Sequence, residues 1–157
     1  MGEKTTISWT HHTFNPWWGC EKVSPACAHC YAERDSARFA PGLWGREAPR
    51  KAASERTWAE PLRWNRAAEK ATPNLDWLLL TKRPEAMVRL APGRWAAAWP
   101  RNVWAGTTVE DAAQLERVAH LSHVPCYVQF VSCEPLLGPL DLDLRSLGWR
   151  VKWVIVG

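Results

Sequence analysis

Leu75-Asp-Trp-Leu-Leu-Leu-Thr81, followed by Lys82-Arg-Pro84, is the stretch that decides the fold. Its apolar residues run on with little alternation, the mark of a buried strand rather than a half-solvated one. Pro84 then opens a helix to about Leu90, since proline is tolerated in a first helical turn. The same order recurs downstream. Asn102-Val-Trp-Ala-Gly-Thr107 reads as a strand, and Thr108 with Asp111 resembles a capping box in which aspartate replaces the usual glutamate. A helix to about Leu121 follows, with Leu115, Val118 and Ala119 as its core-facing stripe. Cys126-Tyr-Val-Gln-Phe-Val131 is the next strand, and Trp149 to Val156 the last. Strands alternating with helices predict an α/β fold on parallel strands covered by helices. Three of these strands end in polar or glycine-containing motifs, Thr81-Lys-Arg83, Gly106-Thr-Thr108 and Ser132-Cys-Glu134. In a parallel barrel such strand ends ring one mouth, where active sites sit.

Upstream the pattern is less regular. Ile7-Ser-Trp-Thr10 reads as a short first strand, and His11 to Cys20, rich in turn formers and aromatics, as a loop. Ser24-Pro25 marks a helix start, predicted to run to about Arg38. On that helix Cys27 and Cys30 are three apart and share a face, with Cys20 returning from the loop before it. Pro41 to Pro49 is irregular, and Ser54 to Lys70 reads as helical with a break at Pro61. Neither a glycine-rich nucleotide loop nor an internal repeat is visible.

The chain has 157 residues and is 46% hydrophobic, enough for a core and for one domain spanning 1–157. No run of about eighteen apolar residues implies a membrane span, and Met-Gly-Glu-Lys-Thr-Thr carries no apolar signal-peptide core. A cytoplasmic location is the default expectation. The net charge is +4. Arg46, Arg50, Lys51, Arg56, Arg63 and Arg66 fall close together, interrupted by Glu47, Glu55 and Glu60. They form either a solvated face or a patch for phosphate or nucleic acid. The twelve tryptophans need at least partial burial and an acceptor for each buried indole N–H, or else line a cavity by stacking.

Five cysteines without a secretion signal read as thiols or metal ligands rather than a disulfide framework. Cys126 and Cys133 lie in or beside an apolar run and read as core. Cys20, Cys27 and Cys30 are different. Three soft thiolates can hold a metal centre with one position left open, whereas a closed structural site usually takes four ligands. Thiolates suit iron–sulfur clusters and zinc alike. His29 sits between two of these cysteines but points to another helical face, and His11 and His12 precede the loop. His120 and His123 flank a helix end, where positive charge is favourable.

Asn15-Pro16, Gly19-Cys20, Lys22-Val-Ser-Pro25, Cys27 and Cys30-Tyr-Ala-Glu33 together resemble a phage-associated family of radical SAM-like proteins. Leu80-Thr-Lys-Arg-Pro84, Trp104-Ala-Gly-Thr-Thr108, Ser132-Cys-Glu-Pro-Leu-Leu-Gly-Pro139 and Trp153-Val-Ile-Val-Gly157 are similar to its later motifs, in order. The resemblance covers nearly the whole chain. It implies a partial TIM-type (β/α) barrel, incomplete on its C-terminal side, because family members continue into a Gly-Glu-Ser-Gly stretch. It also implies a 4Fe-4S cluster on Cys20, Cys27 and Cys30, with S-adenosylmethionine on the open iron. The cysteine spacing is six residues, then two, instead of the three-then-two of standard radical SAM enzymes.

On that resemblance a reduced cluster would cleave S-adenosylmethionine to a 5'-deoxyadenosyl radical, which abstracts a substrate hydrogen; an electron donor is the implied partner. Tyr31 would pack on the cluster or an adenine, or else serve as a core aromatic. Lys82 would pair with a carboxylate or phosphate, or else stand solvated, and Glu134 would accept from an amine or ribose, or else pair with a neighbouring arginine. Thr107 and Thr108 stand at the same mouth. Asn15 would fix the cluster loop through backbone bonds. The substrate class stays open between nucleic acid and a partner protein. Two readings compete with this one: a non-catalytic zinc or iron–sulfur module, and an inactive truncated remnant.

Overall fold

The fold is described from a computed structural model of the chain, covering residues 4–15, 17–64, 74–95, 99–143 and 151–157. The chain divides into two compact units, Met1–Asn74 and Leu75–Gly157.

The first unit is loop-rich. Strand β1 (Trp17–Trp18) pairs antiparallel with β2 (Lys51–Ala52), in the register Trp17 to Ala52 and Trp18 to Lys51. Between them lie a 3-10 turn at Pro25–His29 and helix α1 (Tyr31–Phe39); helix α2 (Glu55–Trp64) follows β2. Ile7–Thr10, expected as a strand, is a turn instead, closed by Thr10 N–H donating to Ile7 O at 3.3 Å. Four residues that fold back on themselves have no strand partner to satisfy their amides. Helix α2 is capped by Ser54, whose Oγ accepts from Thr57 N at 3.3 Å, and it passes through Pro61 without a break. The rest of the helix expected to Lys70 lies outside the described residues.

The second unit is a four-stranded, wholly parallel sheet in chain order: β3 (Trp77–Thr81), β4 (Val103–Thr108), β5 (Gln129–Cys133) and β6 (Val151–Val156). Helices α3 (Met87–Leu90) and α4 (Glu116–Ser122), each entered through a 3-10 turn, make the first two crossings. The mixed α/β class and parallel sheet read from the apolar runs are therefore present. One core layer packs Val103 and Ala105 of β4 against Leu121, Val124 and Cys126, with Trp77, Leu79 and Met87 beside them. A second gathers Val109, Val118, Val131 and Cys133. Both Cys126 and Cys133 are buried. Ala119 is exposed and Leu121 buried, so the stripe of α4 runs through Val118 and Leu121.

Two local expectations change. Thr108 belongs to β4, and Asp111 is itself the N-cap: its Oδ1 accepts from Ala113 N at 2.9 Å. The aspartate thus caps two residues ahead instead of reaching back to a threonine. Strand β5 starts at Gln129, three residues later than Cys126, because Gln129 turns inward and donates to Leu121 O (2.9 Å) and Val124 O (3.1 Å) at the end of α4. Across the sheet, register aligns Leu80, Gly106, Phe130 and Trp153 in one row. The fully buried Phe130 ring lies over Gly106, in the space a side chain there would fill. Among the described residues no helix is long and apolar enough to cross a membrane.

Candidate functional site

The thiol segment lies in the first unit. Gly19 (φ 104°) takes a conformation that favours glycine and delivers Cys20, whose backbone bridges Trp44 and accepts from Gly45 N at 2.9 Å. Ser24 is extended, and its carbonyl accepts from Cys27 N at 3.0 Å to start the 3-10 turn. Cys30 donates its N–H to Cys27 O at 3.4 Å, but its backbone is extended (φ −68°, ψ 121°). The single helix expected over 25–38 is therefore two pieces with Cys30 at the joint. A 3-10 turn tightens poorly beyond a few residues, and α1 restarts at Tyr31 with its own hydrogen bonds. Lys22 and Glu33 form an ion pair at 2.8 Å that ties the loop to α1.

The three sulfurs differ in setting. Cys20 is exposed, with its Sγ 3.5 Å from Glu21 O. Cys27 is buried, with its Sγ 3.7 Å from Ser24 Oγ. Cys30 is half-buried and lines a shallow depression with Ala28, His29, Tyr31, Glu33 and Arg34. Tyr31 stands exposed beside it. As a donor set, three thiols within eleven residues fit an iron–sulfur cluster in kind. Their positions do not yet gather them: among the described residues no three His, Cys, Asp or Glu side chains form a group that could hold a metal. His29 and Asn15 are exposed, and His12 stacks on Trp64 with ring centroids 4.9 Å apart.

The second candidate is the carboxyl edge of the sheet. Here Lys82 follows β3, Thr107 and Thr108 end β4, and Glu134 follows β5. Lys82 Nζ pairs with Glu110 Oε1, and Arg117 donates to Glu110 Oε2 at 2.7 Å and to Thr108 O at 3.0 Å. Glu110 is wholly buried and Arg117 nearly so. Two cations on one buried carboxylate satisfy a charge that would otherwise be very costly to bury. Thr107 Oγ1 donates to Thr81 O at 2.9 Å, tying two strand ends together. The Glu134 carboxylate lies directly against Gly157 at the end of β6. The chain after β5 then spans the edge: Leu136 N donates to Gly157 O (3.4 Å) and Leu137 N to Glu110 O (2.8 Å).

The edge thus brings Lys82 and Arg117 to a common buried acid, with Thr108 held by Arg117. Sequence reasoning missed Glu110 and Arg117. One signal was present: Arg117 stands one turn before Leu121, on the face of α4 that enters the core, and an arginine there needs a buried acid. The Cys133 thiol, just before Glu134, titrates above its ordinary 9.0, chiefly because burial disfavours the thiolate and secondly because of the charge on Glu134.

Comparison with curated proteins gave no match, and comparison with solved structures gave none. A family profile matches residues 4–71 and 67–157, together nearly the full chain. The chain belongs to the family described as "Protein of unknown function (DUF5131)".

Proposed function

We propose that this chain is an iron–sulfur, radical SAM-like protein in which Cys20, Cys27 and Cys30 hold a 4Fe-4S cluster. The observation that carries this reading is where the thiols sit. Among the described residues of the first unit, only Cys27 and Ser36 are buried. A unit under about 80 residues with so little core depends on some other staple, and a metal centre is one such staple. Its three thiols are the residues that chemistry would use.

The four parallel strands in chain order are consistent with a segment of a TIM-type barrel, which is the finer fold we propose. When bound, the cluster would supply the electron that cleaves S-adenosylmethionine reductively, with an external electron donor as partner. The residues' own part is to bind and orient. Tyr31 offers an exposed ring beside Cys30, suited to packing on a cluster or an adenine. Lys82, paired with Glu110, and Glu134 bring opposite charges to the sheet edge, where an amine, carboxylate or ribose would compete for them. Thr107 and Thr108 fix the strand ends from which those groups project. The substrate is a nucleic acid or a protein.

The test is 5'-deoxyadenosine release from S-adenosylmethionine by anaerobically reconstituted protein reduced with dithionite. Release above a cysteine-to-alanine control supports the reading. A folded protein that takes up zinc but no iron, and releases none, rejects it.

A further inference from the structure

The first unit carries an aromatic and basic surface that the thiols do not use. Trp17 is 60% exposed and Trp18 40%, both in β1. Indoles are usually well covered, and here two adjacent ones are open on opposite faces of a two-residue ribbon. The register sets Trp18 opposite the exposed Lys51, within side-chain reach, while Trp17 faces the small Ala52, which leaves its ring uncovered.

A second cation is fixed beside the ribbon. Arg50 donates from Nη1 to Ala48 O at 2.7 Å and to Gly45 O at 3.2 Å, yet it stays exposed. Gly19 permits this: a side chain there would stand 3.0 Å from Arg50 Cδ and 2.5 Å from Leu43 O. Residues 46–56 hold Arg46, Arg50, Lys51 and Arg56 against Glu47 and Glu55, four positive charges to two negative. All six are exposed.

We infer that this ribbon is a docking surface for single-stranded nucleic acid. Open ring faces and neighbouring cations are the two halves of what an unpaired nucleotide needs, a stacking platform for the base and a positive charge for the phosphate. A duplex hides its base faces and so gains only the second. An acidic peptide likewise meets the cations but gives the indoles nothing planar to stack on. The 2'-hydroxyl of RNA both donates and accepts, so Lys51 meets it as readily as it meets a phosphate, and an oligo-rU arm of the titration below separates RNA from DNA. The inference deepens the substrate class of the proposed function but does not depend on a cluster, because none of these residues is a thiol.

The experiment is fluorescence anisotropy of a labelled oligo-dT, and of oligo-rU in a second arm, with the whole chain, without and with reconstitution, across a salt series. Micromolar binding that weakens with salt is expected. Trp17→Ala and Trp18→Ala should each weaken it by about 5- to 100-fold, as loss of one stacked base does. Lys51→Ala should lower the salt slope by roughly 0.7. Because both indoles are exposed, the circular dichroism spectrum should not change; Trp17→Phe, which keeps a ring, should retain most of the binding. No binding at low salt, equal binding of duplex, equal competition by poly-glutamate, or tryptophan variants that bind as well as the parent would each overturn the inference. Oligo-dT binding without iron uptake would refute the cluster and leave this inference standing; iron uptake without oligo-dT binding would do the reverse.

Discussion

Gly106→Ala should destabilise the second unit by about 3 kcal/mol, at the upper end of the cost of overpacking a filled core. The reasoning is geometric. A methyl at position 106 would meet three carbons of the Phe130 ring, and even the farthest, Cε2, would be 2.5 Å away, against 3.4 Å or more for ordinary contact. The ring has little freedom to retreat. Phe130 has no exposed surface, and the Trp153 ring stands 6.0 Å away, centroid to centroid. Phe130 sits on β5, which is paired with β4, and Trp153 on β6, which is paired with β5, so relief needs the strands themselves to shift. For a unit of this size the loss corresponds to a fall in midpoint of roughly 10–20 °C.

Urea and thermal unfolding followed by circular dichroism would measure it, with Phe130→Leu and the double variant completing a cycle. Leucine leaves room for the methyl, so the double variant should be less destabilised than the sum of the singles by more than about 1 kcal/mol. Additive costs, or a Gly106→Ala variant as stable as the parent, would refute the claim that Phe130 occupies the space above that glycine.

Three further outcomes follow from the same structure. Glu110→Ala removes the buried acid shared by Lys82 and Arg117; it should cost about 3–5 kcal/mol in urea unfolding, mostly from the Arg117 charge left buried without it. Asp111→Ala removes the cap on Ala113 N and should cost about 1 kcal/mol by the same assay, while Asp111→Asn should cost much less. Cys133 holds its proton more tightly folded than unfolded, so its contribution is fully present below about pH 9 and is lost as pH rises above that value. Urea midpoints should therefore fall as pH rises above about 9, and part of that fall should be missing in Cys133→Ala.

How much of this could be read beforehand depends on what each feature rests on. Strands β3 and β4 lie within two residues of their apolar runs, but only β4 is buried as expected; β3 is an edge strand, half-buried with Leu80 exposed. The run at Cys126–Val131 gave a strand but misplaced its start. Hydrophobicity records burial, not pairing, and Cys126 is buried in the layer beneath α4 before pairing begins at Gln129. The same limit hid the break at Cys30. Spacing of Cys27 and Cys30 fits an α-helix and a 3-10 turn equally well, and only backbone angles separate them.

At the sheet edge, the sequence pointed to Lys82, Thr107, Thr108 and Glu134 because polar residues end apolar strands. The acid that pairs with Lys82, and with the arginine that holds Thr108, was not legible. Glu110 meets Lys82 across 28 residues and Arg117 across 7, distances set by the crossing of β4 into α4 and not by any local pattern. The exposed Trp17 and Trp18 were equally hidden, since tryptophan in a sequence predicts burial until a two-residue ribbon leaves it open.

The most direct test of the central claim is iron and labile sulfide per chain after anaerobic reconstitution, in the parent and in a variant with Cys20, Cys27 and Cys30 all changed to alanine. The account predicts about four irons with matching sulfide in the parent and none in the variant. A folded parent without iron, or a variant that keeps the same iron, would contradict it.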